Sequence, residues 1–151
     1  MKNKFVCDVH LGKLARLLRL LGFDTAYENA FTKIELSNIG RLEERIVLSK
    51  DRSLSKNSLI RAFIIENEEP MLQLKQVVDS FGLKNHIQPF SRCLVCNGEL
   101  HMVSKEAISH LLLENTLQYF NEFWRCTNCR RIYWKGSHYE RMLKTIEGIT
   151  S

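Results

Sequence analysis

The sequence predicts an α/β protein, with an open, mostly parallel β-sheet, helices on both faces, and a small ribbon held by four cysteines. Over about the first 85 residues, short apolar strands alternate with amphipathic helices, as is typical of parallel sheets. Two Cys-x-x-Cys pairs follow. The chain has 151 residues, enough for one domain and a small module, and we expect these to span residues 1–88 and 89–151.

The first strand and helix open the sheet domain. Residues 4–8 indicate a short buried strand, and apolar residues at helical spacing predict a helix over 11–21. Gly22 is suited to end that helix in a left-handed conformation. Three basic residues are predicted on the edge opposite the apolar face: Lys13, Arg16 and Arg19.

The second helix carries a recognisable start signal. Residues 24–27 predict a short strand before it, and residues 45–49 predict a strand after it. Thr32 and Glu35 form a capping-box pattern, which indicates a helix from there to about residue 44. The capping role gives Glu35 a structural reason to be present.

The sheet domain ends with one more strand and helix. Residues 59–65 predict the strand, and residues 70–81 predict a helix with proline at its start and Gly82 at its end. Residues 85–91 look like a linker. Beyond it, the segment 105–113 between the two cysteine pairs has a helical pattern.

Cys93, Cys96, Cys126 and Cys129 have the spacing of a zinc ribbon. Two residues between paired cysteines let both thiolates of a tight turn face one ion, and four thiolates complete a closed, structural Zn²⁺ site. The segment between the pairs exceeds the usual length of roughly 15–20 residues, which an inserted helix would explain. The alternatives are a redox pair or two unrelated pairs. The fifth cysteine, Cys7, is predicted to pack in the core.

Two aspartates follow predicted strands. Asp8 ends the first strand and Asp51 follows the strand over 45–49. Because ligands bind at the carboxyl ends of parallel strands, these carboxylates can meet there and hold Mg²⁺ or Mn²⁺ for phosphodiester hydrolysis. Equally, each aspartate can cap a helix or stabilise a turn. Basic residues nearby in sequence could hold a phosphate backbone: Lys13, Arg16, Lys50 and Arg52.

Composition bounds the class of protein only loosely. The net charge of +5 permits a nucleic-acid partner without requiring one. No apolar run reaches the ~18 residues that a membrane helix needs, and the run after the first four residues is too short for a signal-peptide core. We therefore expect no membrane association and a cytoplasmic protein, a setting in which paired cysteines hold metal more often than they form disulfides.

Several segments resemble the mut-seven C-terminal ribonuclease domain family, a PIN-like nuclease module commonly fused to a zinc ribbon. The similarity runs from about residue 5 to residue 142, and Asp8 is the first residue of its motifs. The matching segments are LGKLAR (11–16), LRLLGFDT (18–25), IVLSKDR (46–52), FWRC (123–126) and, after Cys129, IYW (132–134), GSHY (136–139) and RM (141–142).

The resemblance implies a PIN-like α/β fold, metal-dependent RNA cleavage and a metal-binding role for Asp8 and Asp51. The sequence also departs from the family pattern. Lys33 stands where the family usually has an aspartate, Ser53 where a second aspartate often follows, and Arg130 where a ribbon glycine is common. The first two departures reduce the number of carboxylates at the site.

These observations give a main hypothesis and two alternatives. The main one is a cytoplasmic ribonuclease in which Asp8 and Asp51, with Glu35 as a third candidate, hold Mg²⁺ or Mn²⁺. RNA, single-stranded or structured, would be its substrate, positioned by four basic side chains: Lys13, Arg16, Arg19 and Arg52. The departures at Lys33 and Ser53 motivate a protein that binds RNA without cleaving it. The third hypothesis is a ribbon that binds a protein partner.

Aromatic residues cluster around the second cysteine pair, among them Trp124, Tyr133, Trp134 and Tyr139. Exposed aromatics beside basic residues can stack on unpaired bases. The interpretation we favour is that they form the small core of the ribbon or its contact with the sheet domain. His138 is expected to start a helix or lie at an interface, with an RNA contact as the alternative.

Overall fold

The computed structural model describes residues 3–150, which form an α/β sheet domain and a small antiparallel ribbon. None of the helices in this part of the chain is both long and apolar enough to cross a membrane. The elements of the sheet domain are β1 (Phe5–Cys7), α1 (Gly12–Leu20), β2 (Thr25–Ala26), α2 (Lys33–Leu42), β3 (Ile46–Ser49), β4 (Arg61–Ile64) and α3 (Pro70–Phe81). Those that follow are β5 (Leu100–Val103), α4 (Lys105–Ile108), α5 (Glu114–Tyr119), β6 (Phe123–Cys126), β7 (Ile132–Tyr133) and α6 (Ser137–Thr150).

The first four strands form one parallel sheet in the order β2-β1-β3-β4. Val6 of β1 lies opposite Ala26 on one side and Val47 on the other. Consecutive parallel strands need crossover connections, and helices α1 and α2 supply two of them. The predicted parallel sheet is confirmed, and β1 and β3, which precede the two aspartates, are direct neighbours.

Helices cover both faces of this sheet. Alternate residues of a strand point to opposite faces, so Phe5 and Cys7 pack with the leucines of α1 and α3, whereas Val6 packs with Leu36 of α2. Burial on both faces explains why the central strands are continuously apolar. Cys7 is fully buried, as predicted for core packing, and burial raises the pKa of its thiol.

The local start and stop signals act as predicted. At α2, the Glu35 amide donates to Thr32 Oγ1 at 3.1 Å and the Thr32 amide donates to Glu35 Oε1 at 3.3 Å, which completes the capping box. Helix α3 begins at Pro70 and ends at Phe81, and it is capped by Gly82, whose φ of 59° is left-handed. These contacts satisfy amides and carbonyls that a helix end leaves unpaired.

The ribbon is a three-stranded antiparallel sheet in the order β5-β6-β7. Its inserted segment differs from the single helix expected over 105–113. Helix α4 stops at Ile108, a 3₁₀ turn follows, and a separate helix α5 begins at Glu114. Ile108 is the buried residue of α4, so little packing supports a longer helix in this segment.

Helix α6 was not among the predicted elements, although the chain carries a signal for it. Tyr139, Met142, Leu143 and Ile146 recur at the i, i+3, i+4, i+7 spacing of an amphipathic helix. The helix returns to the sheet domain and packs against α3. A cavity of about 210 Å³ remains at the junction of α1, α3 and α6, lined by Leu17, Met71, His138, Arg141, Met142, Thr145 and Ile146.

The linker between α3 and the ribbon is fixed to the end of α1. The Gln88 amide donates to Leu21 O at 2.8 Å. At Gly22, where φ is 92°, a Cβ atom would lie 2.2 Å from Gln88 O, so glycine is needed for both the turn and the close approach. The linker therefore packs tightly on the sheet domain. The division into residues 1–88 and 89–151 stays a prediction.

Candidate functional site

The four cysteines of the ribbon come together at one point. Their Sγ atoms all lie within 4.8 Å of one another, and within residues 3–150 they are the single group of three or more Cys, His, Asp or Glu so placed. Cys93 and Cys129 are 3.6 Å apart at Sγ, and Cys96 and Cys126 are 3.4 Å apart. A tetrahedron with Zn–S bonds of about 2.3 Å has edges near these lengths. The site can therefore hold a metal ion.

Hydrogen-bond donors surround the sulfur atoms. The amides of Gly98 and Asn128 lie 3.4 Å from Cys96 Sγ and Cys126 Sγ respectively. Burial raises the pKa of Cys96, but hydrogen bonds from the Asn128 side chain and the Gly98 amide outweigh it and bring that pKa to about 6. Thiolates are the form that binds metal, so these hydrogen bonds favour a thiolate at Cys96, whereas burial and the neighbouring cysteines raise the pKa of Cys129 to about 12.

Both cysteine turns place the residue after the second cysteine in the left-handed region. Asn97 has φ 70° and Arg130 has φ 68°. Asparagine tolerates this conformation because its short polar side chain bonds locally, whereas arginine does not have that compensation. A Cβ atom at Gly98 would lie 2.7 Å from Cys126 Sγ, which explains the glycine there.

We expect Arg130→Gly to stabilise the protein. Glycine reaches positive φ without the steric cost that any Cβ atom brings, so the free energy of unfolding should rise by up to about 1 kcal/mol. Urea denaturation with zinc bound measures this change. Arg131→Gly, the adjacent exposed arginine without positive φ, is the matched control and should not stabilise. A less stable Arg130→Gly variant would contradict the expectation.

Asp8 and Asp51 lie at the same edge of the sheet, at the carboxyl ends of the neighbouring strands β1 and β3. Ser49 joins them: its Oγ donates to Asp8 Oδ2 at 2.6 Å and accepts from the Asp51 amide at 3.0 Å. Asp8 Oδ2 also accepts from the Lys50 amide at 3.3 Å, and Asp8 Oδ1 accepts from the His10 amide at 2.8 Å. Sequence reasoning missed Ser49, for which only its position at a strand end was a signal.

Lys33 and Ser53 contact Asp51 and each other. Lys33 Nζ lies 3.1 Å from Asp51 Oδ2 and also bonds to Ser53 Oγ, while the Ser53 amide donates to Asp51 Oδ1 at 2.9 Å. Hydrogen bonds from Ser53, followed by the Lys33 ammonium, lower the pKa of Asp51 to about 2. A cleft of about 320 Å³ opens beside these residues on the α2 side.

Glu35 is the third predicted acid, and the structure places it in the capping box of α2. Its carboxylate accepts from the Thr32 amide, and its side chain is exposed. No group of three acids that includes Asp8, Asp51 and Glu35 forms within the described residues. A metal-binding role for Glu35 stays a prediction.

Arg19, one of the four basic residues predicted to contact RNA, is buried in the structure. It is only 5% exposed and faces inward. Its Nε donates to Thr25 O at 2.9 Å, and its Nη1 donates to Leu94 O at 3.1 Å and to Val95 O at 3.2 Å. No free face remains for a phosphate, so the prediction for Arg19 is wrong, and its guanidinium instead joins α1 to the first cysteine turn.

The other predicted basic residues are accessible. Lys13 and Arg16 are exposed on α1. Arg52 is also exposed and forms an ion pair with Glu66, with 2.8 Å between Nη2 and Oε2. All three side chains are exposed, and their contact with RNA stays a prediction.

The aromatic residues of the ribbon mostly pack inward, as favoured above. Phe90 of the linker stacks between Trp124 and Tyr139, with ring centroids 4.2 Å apart in both pairs. The Tyr133 hydroxyl lies 3.0 Å from Cys93 Sγ and accepts from the Leu94 amide at 3.1 Å. His138 is exposed near the start of α6. The aromatic residues therefore bind the linker, the ribbon and α6 together.

The fold and these sites define a class of protein: a parallel-sheet α/β domain with carboxylates at its strand ends, joined to a four-cysteine ribbon. The family model for the Mut7-C RNAse domain matches residues 3–146, nearly the whole chain. The chain belongs to the Mut7-C RNAse domain family. Comparison with curated proteins and with solved structures gave no match.

Proposed function

We propose that this protein is a metal-dependent ribonuclease whose reaction takes place at Asp8 and Asp51. The observation that carries the proposal is their placement on neighbouring strands, linked through Ser49 Oγ. Two carboxylates suit Mg²⁺ or Mn²⁺, ions that keep several waters in protein sites. Such an ion would activate water and neutralise charge on the phosphodiester. Ser49 holds the Asp8 carboxylate in place for that role.

The rest of the chain would serve RNA binding and stability. Lys13, Arg16 and Arg52 are exposed and would neutralise backbone phosphates. The four cysteines would hold one structural Zn²⁺ ion, because four converging thiolates leave no open coordination position for catalysis. We propose a cytoplasmic location and RNA as the substrate, with a protein partner on the ribbon as a further possibility.

Substitution of Asp8 tests the ribonuclease proposal. Asp8→Asn keeps the size of the side chain and removes its charge, so Mn²⁺-dependent cleavage of single-stranded RNA should fall about 100-fold or more, since losing a metal ligand removes several kcal/mol of transition-state stabilisation. Cleavage is measured by gel electrophoresis of labelled RNA. Asp79→Asn, an exposed change on α3, should keep full activity. Equal cleavage by wild type and Asp8→Asn would remove the proposal.

One observation favours a second function, RNA binding without cleavage. The Lys33 ammonium forms an ion pair with Asp51, whose carboxylate a metal ion would need. If this pairing persists, the protein binds RNA through its exposed basic residues and leaves it intact. RNA binding without added Mg²⁺ or Mn²⁺, together with no cleavage in either metal, would identify this function.

A further inference from the structure

The acidic site, formed by Asp8 and Asp51, lies among basic side chains that act as counter-ions. Three cations surround it, and each is paired with a carboxylate: Lys33 with Asp51, Lys50 with Glu68, and Arg52 with Glu66. Asp8 differs from the other carboxylates, because it accepts hydrogen bonds from neutral donors, namely two backbone amides and the Ser49 hydroxyl. Within residues 3–150, no salt bridge pairs Asp8 with a cation, which favours binding of a further positive ion.

Lys33 occupies Asp51 on the side away from the Ser53 amide. Its Nζ lies 3.1 Å from Asp51 Oδ2, and the Ser53 amide donates to Asp51 Oδ1. Both carboxylate oxygens of Asp51 therefore have donors. Lys33 is the first residue of α2, and its side chain is 57% exposed. An exposed lysine can change rotamer at low cost, since ion pairs at the surface contribute little to stability.

We propose that Lys33 sets the affinity of the Asp8–Asp51 pair for a divalent cation by competing for Asp51 Oδ2. This inference rests on the proposed function. The ammonium lies 3.1 Å from Asp51 Oδ2, an oxygen that an ion bound by both carboxylates can use, and it also repels a doubly charged ion nearby. Binding of a divalent ion therefore favours the rotamers in which Lys33 has left Asp51.

Calorimetric titration of Mn²⁺ into the zinc-loaded, full-length protein tests the competition. Lys33→Met removes the ammonium and keeps the length of the side chain, so Mn²⁺ affinity should rise by up to roughly fivefold, the upper range for losing an exposed competing ion pair. Lys33→Arg restores a cation and should bind within about twofold of wild type. Lys84→Met, an exposed lysine after α3, is the matched control and should leave the affinity unchanged.

The outcomes separate this inference from the proposed function. A gain in Lys33→Met that disappears when Asp51→Asn is added supports the competition. Unchanged Mn²⁺ affinity in Lys33→Met, with binding that still depends on Asp8, overturns the inference and leaves the ribonuclease proposal standing. Mn²⁺ binding equal in wild type and Asp8→Asn overturns the proposed function itself.

Discussion

Removing zinc from the loaded protein should unfold the ribbon and the sheet domain together. Structural zinc sites contribute on the order of 10 kcal/mol of binding free energy, so we expect the free energy of unfolding of the whole chain to fall by about 5 kcal/mol or more. The coupling comes from contacts across the two parts. Arg19 of α1 bonds to carbonyls of the first cysteine turn, and Asn97 of that turn accepts from the Thr25 amide at 3.0 Å and donates to Asp24 at 2.7 Å.

Two probes distinguish joint from separate unfolding. Both tryptophans, Trp124 and Trp134, lie in the ribbon segment, so their fluorescence reports on it, while far-UV circular dichroism reports on all the helices, including those of the sheet domain. Thermal unfolding with a zinc chelator should give coincident, lowered transitions by both probes. Chelator saturated with zinc is the control. A sheet domain that melts unchanged after zinc removal would contradict the expected coupling.

Arg19→Met should destabilise the protein by about 3 kcal/mol or more. Methionine retains much of the volume of the side chain but leaves two buried carbonyl acceptors, on Thr25 and Leu94, and the partly buried one on Val95 without the guanidinium. An unsatisfied buried polar group costs roughly 1–3 kcal/mol, and burial of the methionine offsets only part of that loss. Urea denaturation of the zinc-loaded protein measures the change.

Arg16→Met is the matched control, one turn away on the same helix and exposed. Surface substitutions of this kind usually change stability by no more than about 0.5 kcal/mol. If Arg16 contacts RNA as proposed, its substitution should weaken RNA binding without unfolding the protein. An Arg19→Met variant as stable as wild type but defective in RNA binding would reverse the roles assigned to these two arginines.

The error over Arg19 follows from helix geometry. Lys13, Arg16 and Arg19 are three residues apart, and each such step advances about 300° around a helix of 3.6 residues per turn. The third residue therefore lies about 120° from the first, which carries Arg19 from the exposed edge toward the core. Its carbonyl partners at Leu94 and Val95 are distant in sequence, so no local sequence pattern predicts these hydrogen bonds.

Elements with strong local signals were predicted well from the sequence. The capping box at Thr32 and the proline and glycine that bound α3 fix those helices without help from the rest of the fold. The convergence of the cysteines was also predictable, because two tight turns sharing one ion restrict the geometry. The broken helix after Lys105 was not, since the extent of a weakly packed helix depends on tertiary contacts.

The sequence predicted which aspartates lie at the candidate acidic site, but not the hydrogen bonds and ion pairs that they make there. The positions of Asp8 and Asp51 followed from the strand ends, and the departures at Lys33 and Ser53 were visible in the sequence. Contact between Lys33, Ser53 and Asp51 depends on how α2 sits over the sheet, which periodicity does not specify. The bridging hydroxyl of Ser49 depends on the registration of β1 against β3.

Because α6 packs on the sheet domain, that domain can complete its folding only after α6 has been synthesised. Helix α6 covers a surface shared by Leu17 and Met71, two residues from the earlier part of the chain. A nascent chain still lacking residues 137–150 presents that apolar surface to water or to a chaperone. The helical layer of the sheet domain is therefore complete only after residues 137–150 have been made, later than both cysteine turns.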